Sequence, residues 1–353
     1  MRLLDEPTVK YGFATRAVPL EEMAGITSAA GVVPRVGDVV LAEVISVGKN
    51  KTIEDRQGRS LYLFPGDKVV GAFGNRYATD QYEGYVPRKT EGHCDMLSVG
   101  GVFGELTSRH AAMAAPTRLG VLGRVSDRAG HPVNQLGYAL EAGSGAGETE
   151  VIAVVGSSMN SGKTTTAGTI ARALSRTGYR VAAMKATGTA AGKDSRFYES
   201  CGAWPVLDFT SVGYPSTYML GEEELLWIYD SLLGSLGATK PDYVVVEVAD
   251  GIFQRETRML LDSEEFRTSV DHLFFAASDS LSAESGVRFL QRYGLPLRAT
   301  GGSVTQSALA SREAEEAAGL PCLSTDRIME GALGELLGDG ARSLSPGVSG
   351  SVA

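Results

Sequence analysis

Cysteine is scarce. Only Cys94, Cys201 and Cys322 occur in 353 residues, far apart and with no CxxC pair, a pattern that indicates neither a disulfide framework nor a zinc knuckle. Small buried thiols are the expectation. Positive charge is also in short supply, with 33 Lys and Arg against 42 Asp and Glu and a net charge of −9. That balance argues against a general nucleic-acid coat. No stretch approaches the ~18 consecutive apolar residues of a membrane span. The opening MRLLDEPTVKYGF places acidic residues where a secretion signal carries its apolar run. A soluble, cytoplasmic protein without membrane contact is therefore expected. An apolar fraction of 43% excludes a wholly disordered chain.

The charge is unevenly distributed. Residues 1–147 hold 16 basic and 16 acidic side chains, and the remainder holds 17 and 26, so all the net negative charge lies in the second part. The local patterns divide in the same place. Residues 1–30 show no clear period and read as an irregular segment. Residues 31–140 read as a small all-β domain, barrel or sandwich, with short strands at 39–47, 60–64, 68–74, 96–107 and 119–125 between turns such as Gly37-Asp38 and Pro65-Gly66-Asp67. EAGSGAGETE at 141–150 has the small, flexible composition of a linker. From 151 to 335 strands alternate with helices. VIAVVG (151–156), RVAAMK (180–185), DYVVVEVADG (242–251) and HLFFAASD (272–279) read as strands, and 163–178, 222–236, 282–293 and 311–319 as helices. This alternation predicts an α/β domain whose mostly parallel sheet is covered by helices on both faces. The tail at 343–353 is expected to be disordered.

GSSMNSGKTTT, Gly156 to Thr166, stands directly between a buried strand and a helix. In a P-loop, backbone N–H groups and a helix N-terminus wrap a polyphosphate, the lysine neutralises it, and the first hydroxyl residue ligates magnesium. Ser158, Met159, Asn160, Ser161 and Gly162 would form the cradle, with Lys163 on the phosphates, Thr164 on the metal and Thr165 toward the α-phosphate. Five residues separate Gly156 from Gly162, one more than in GxxxxGK[ST]. In this it resembles the dethiobiotin synthetase branch of P-loop proteins. The MinD and ParA branch carries a second lysine five positions before the loop lysine, where this chain has Ser158.

Ligands of open α/β sheets bind at the carboxyl ends of strands. The strand VVVEVADG ends in Glu247 and Asp250, and a carboxylate there can hold magnesium. The resemblance to dethiobiotin synthetases implies that Glu247 is the metal carboxylate and that Lys185, at the end of the second strand, bridges the γ-phosphate and an acceptor. Gly192-Lys193-Asp194-Ser195-Arg196 resembles the GKDS segment of the molybdopterin-guanine dinucleotide adaptor family, whose loop also reads NSGKTT. Asp194 is read as a further magnesium ligand, with Asp208 and Asp250 in reserve, and Lys193 and Arg196 as contacts to an anion. Arg255 is a candidate for stabilising a transferred phosphoryl group. Gly301 and Gly302 are placed where this branch of folds holds the nucleotide base.

In the first domain, residues 74–83 form a loop rich in Arg, Tyr and Gln, suited to an anionic or planar partner. The leading expectation is an ATP- and Mg²⁺-dependent ligase or kinase acting on a small-molecule acceptor. The alternative is an NTP-binding adaptor that works with a protein partner in the synthesis of a nucleotide cofactor. A polynucleotide 5′-hydroxyl kinase is disfavoured by the lack of a basic stripe, and a coenzyme A-dependent acyltransferase would use the loop for a pyrophosphate. The resemblance also implies a possible homodimer.

Overall fold

The computed structural model describes residues 8–140, 143 and 145–338. Residues 141, 142 and 144 of the expected linker and the whole 343–353 tail lie outside the described residues. The first domain contains β1 (Lys10–Tyr11), β2 (Gly25–Thr27), β3 (Val39–Ser46), β4 (Thr52–Glu54), β5 (Ser60–Tyr62), β6 (Lys68–Phe73), β7 (Tyr82–Tyr85), β8 (Gly92–Met96), β9 (Val102–Arg109) and β10 (Thr117–Ser126). Pairing runs from β6 through β3, β10, β8 and β9 and returns from β9 to β6 through a parallel contact of Ala72 with Val102. The sheet is thus closed into a five-stranded barrel, which leaves these strands without free edges. Alternation along β3 sends Val40, Ala42 and Val44 into the barrel with Phe73, Met96, Phe103 and Leu119.

The other face of β3 is buried too. Val39 and Leu41 pack with Val70 and Val125 under Val18 and Met23 of the N-terminal segment. Residues 8–30 accordingly carry more order than the sequence suggested: β1 pairs with β6 and β2 with β10, strapping the segment over the barrel's outer apolar face.

The second domain contains β11 (Glu150–Gly156), β12 (Val181–Lys185), β13 (Val206–Asp208), β14 (Tyr243–Glu247), β15 (His272–Ala276), β16 (Leu297–Gly301) and β17 (Cys322–Leu323), all parallel, in the order β13-β12-β14-β11-β15-β16-β17. The helices that cover it include α1 (Lys163–Arg176), α2 (Gly192–Ser200), α3 (Glu222–Gly237), α4 (Arg255–Asp262), α5 (Glu264–Ser269), α6 (Ser280–Gln291) and α7 (Ala308–Ala318). Strand β11 alternates between the two layers. Val151, Ala153 and Val155 join Ile228, Leu232 and Phe275 on one face, while Ile152 and Val154 meet Ile170, Ala171 and Leu174 of α1 on the other. The α/β reading holds. Helices α2, α4 and α5 are additional to the helices read from the sequence, because each is short and carries only a few apolar positions.

The two domains share one core. Phe13, Ala14, Ala72 and Val102 belong to the same apolar cluster as Met184, Phe209 and Val212. Gly100 makes this approach possible, since a Cβ there would lie 2.1 Å from the Ala190 carbonyl oxygen. Polar ties reinforce the contact: Arg16 pairs with Asp208 at 3.0 Å, and the Gly192 N–H donates to Glu54 at 2.6 Å. All three cysteines are free thiols, and burial pushes Cys94 up to about 12. Among the described residues no helix is long and apolar enough to cross a membrane.

Candidate active site

The loop after β11 turns twice through the left-handed region, at Asn160 with φ 63° and at Gly162 with φ 97°. Gly162 is the N-cap of α1 and supplies no capping side chain. The first-turn N–H groups of α1, which have no intrahelical partners, are therefore directed at the loop's concavity, where the helix dipole favours an anion. The walls of the loop are tightly packed. A Cβ at Gly251 would lie 2.5 Å from the Ser157 carbonyl oxygen, and one at Gly302 would lie 2.2 Å from that of Ser161.

Lys163 is 6% exposed, and its ammonium donates to the Ser158 carbonyl at 2.8 Å. Burial lowers its pKa, and the surrounding Glu247, Asp250 and Asp194 carboxylates oppose that shift. Glu247, at the end of β14, accepts from the Thr164 hydroxyl at 3.1 and 3.2 Å to its two oxygens and also from the Tyr198 hydroxyl. Lys185, at the end of the neighbouring β12, stands 3.7 Å from Glu247 and is bonded to Asp194. Burial disfavours the Lys185 charge, but Glu247 and Asp194 outweigh it and hold the ammonium firmly protonated. Lys163, Thr164, Lys185, Asp194, Glu247 and Asp250 line a cavity of about 610 Å³ together with Met159, Asn160, Gly162, Thr165 and Lys193.

Helix α2 brings Asp194 to the cavity. Its first N–H group is capped across the domain boundary by Glu54 of β4, whose pKa is raised by burial. Asp194 and Tyr198, four residues apart, lie on one helical face and reach Lys185 and Glu247 respectively. Burial and the adjacent Glu247 carboxylate push the Tyr198 hydroxyl pKa upward, so it remains a donor. Tyr198 and Glu54 were not singled out from sequence. The i, i+4 spacing signals Tyr198 once 192–200 is read as a helix, whereas no local pattern points to Glu54.

Several expected residues have other settings. Asp208 is 3% exposed and engaged with Arg16, Ser195 and Thr210. Arg255 opens α4, donates to the Leu220 carbonyl at 2.9 Å and to Glu256 at 2.6 Å, and is not among the cavity walls. Gly301 and Gly302 are not among them either. Gly302 packs against the back of the P-loop, where a Cβ on Gly162 would be 2.8 Å from its Cα. Ser161 is fully buried, and its hydroxyl has no partner among the described residues.

Magnesium in such sites needs one or two carboxylates and a hydroxyl in addition to phosphate oxygens. The adjacent Thr164 hydroxyl and Glu247 carboxylate meet that requirement. Asp194 shares the cavity, with one of its carboxylate oxygens bonded to Lys185.

Asp250 has a left-handed backbone, φ 64°, and burial raises its carboxyl from 3.8 to about 6, against the opposing pull of Lys163 and Lys185. The folded state therefore holds the proton more tightly than the unfolded chain. The stabilisation linked to this group is complete below its unfolded pKa and is lost as pH rises through about 6. Asp250→Asn tolerates the left-handed backbone and removes the titration. Its stability relative to the parent protein should rise between pH 4 and pH 7 by about 2–3 kcal/mol, measured by urea unfolding without nucleotide. A pH-independent difference would contradict this assignment.

Solved structures of low sequence identity are similar to part of this chain. Signal recognition particle 54 kDa protein from Aeropyrum pernix K1, solved with GDP, aligns with 54% of this chain and 46% of its own, at 19% identity and TM-score 0.38. The signal recognition particle receptor FtsY from Elizabethkingia anophelis aligns with 47% of this chain and 53% of its own, at 16% identity and TM-score 0.33. The kinase domain of Escherichia coli tyrosine kinase ETK aligns with 44% of this chain and 67% of its own, at 15% identity and TM-score 0.34. The chain thus spans about half the length of the first two. No protein-family model and no curated protein matches the sequence.

Proposed function

We propose that this protein is an ATP- and Mg²⁺-dependent enzyme that transfers the γ-phosphoryl group of ATP to a small-molecule acceptor. The observation that carries the reading is the convergence of Lys163, Lys185, Thr164 and Glu247 at the open end of a P-loop. Loop N–H groups and Lys163 bind the polyphosphate, and a buried ammonium acts there at much lower dielectric than water. Thr164 and Glu247 would hold Mg²⁺, which when bound neutralises charge on the phosphate oxygens. Lys185, kept protonated by its two carboxylates, balances charge on the transferring group and orients the acceptor. Asp250, with its carboxyl raised to about 6, is poised to take the acceptor's proton near neutral pH. A protein that only grips the pyrophosphate of coenzyme A would have little use for a carboxylate against the loop hydroxyl.

The test is ADP formation from ATP and Mg²⁺ in the presence of pooled metabolites, with the phosphorylated or ligated product identified by mass spectrometry. The expected result is metal-dependent turnover stimulated by a particular pool. Tight ATP binding with turnover that responds only to a protein partner would replace this reading with an adaptor.

A further inference from the structure

A second cavity, of about 870 Å³, lies between the barrel and the P-loop domain, with residues 189–191 on one side and Lys49, Lys51, Arg76 and Asp80 on the other. Gln81 lines both this cavity and the one at the P-loop, so the two adjoin. We propose that this interdomain cavity is the acceptor site and takes a small molecule bearing a carboxylate beside a hydrogen-bond donor. The proposal rests on the phosphoryl-transfer reading for the neighbouring cavity and adds the place and chemical class of the acceptor.

Two unsatisfied polar atoms point to that class. Arg76 is 8% exposed and donates to the Leu97 carbonyl and, at 2.7 Å, to Gln81, yet its Nε has no partner among the described residues. A buried donor left unpaired costs about 1–3 kcal/mol, so its retention fits a site that an acceptor atom completes. Burial lowers the Arg76 pKa to about 10, which still leaves a full positive charge at neutral pH. Asp80 accepts from Asn160 at the tip of the P-loop at 2.6 Å, while its other oxygen, Oδ1, is buried without a donor. An oxyanion on the ligand would satisfy Arg76, and an adjacent hydroxyl or amine would satisfy Asp80.

Charge supports the same choice. Lys49 and Lys51 are exposed and form no ion pair among the described residues, so with Arg76 they outnumber Asp80 three to one on the wall. In a protein whose net charge is −9, such a local cationic pocket selects an anion. The Asp80 to Asn160 bond links this pocket to the phosphate loop, so a ligand held by Asp80 lies beside the residues that grip the nucleotide.

The test is calorimetric titration of the whole protein with succinate and with malate, which differs by one hydroxyl, without nucleotide. Saturable binding of both is expected, with malate tighter by about threefold or more for the hydroxyl on Asp80. Arg76→Gln and the exposed Lys51→Glu should each weaken binding by about tenfold, the second variant covering the case in which the first does not fold. No saturable binding of either acid up to about 20 mM, or undiminished binding by a folded Lys51→Glu, overturns the proposal. A separate Mg²⁺·ATP titration of the parent protein reports on the P-loop alone: failure there removes the phosphoryl-transfer reading, whereas failure with the acids removes only this site.

Discussion

Replacing Lys163 with alanine is expected to weaken ATP binding by about 100-fold or more, roughly 3 kcal/mol. Lys163 is 6% exposed and its ammonium sits on the loop itself, bonded to the Ser158 carbonyl, so a phosphate exchanging for that carbonyl would meet a charge largely stripped of water. Charge-assisted bonds made under those conditions are the strong ones. Folding should survive, because burial already disfavours this charge and Lys185 remains to balance the carboxylates. Calorimetry on the variant, with circular dichroism as the folding control, checks the outcome. Affinity equal to that of the parent protein would mean that the loop does not bind the nucleotide.

Glu247→Gln is expected to behave differently, with ATP affinity falling by no more than about threefold and Mg²⁺-dependent turnover by about 10³-fold, several kcal/mol of lost charge stabilisation. Glutamine can still accept from Thr164 and Tyr198, so the local geometry is preserved. The negative charge against the Thr164 hydroxyl, 3.1 Å away, is what disappears. Steady-state kinetics over a range of Mg²⁺ concentration separates the possibilities. A variant rescued by high Mg²⁺ has lost metal affinity, and one with full turnover at ordinary Mg²⁺ would exclude Glu247 as the metal carboxylate.

The parts of this site visible in the sequence are those carried by local patterns. VIAVVG followed by NSGKTT marks a buried strand, a loop and a helix because hydrophobicity and the glycine–lysine pair lie within about twenty contiguous residues. Lys185 and Glu247 were found because strand ends are where α/β sheets place ligands. Glu54 remained hidden because its role depends on a contact across the domain boundary with Gly192, and the 74–83 loop was legible as polar without its Asp80 contact to Asn160. Glycines do mark a close backbone approach, but at Gly302 the approaching backbone is the protein's own P-loop. The shared core of the two domains was equally illegible, since the Gly100 contact that permits it joins residues 90 positions apart.

The most direct test of the central claim is an experimental structure of the protein with a non-hydrolysable ATP analogue and Mg²⁺. Phosphate oxygens within hydrogen-bonding distance of the loop N–H groups and Lys163, with Mg²⁺ between Thr164 and Glu247, are the predicted result. A nucleotide bound elsewhere, or a triphosphate whose metal ion has no connection to Thr164 or Glu247, would contradict it.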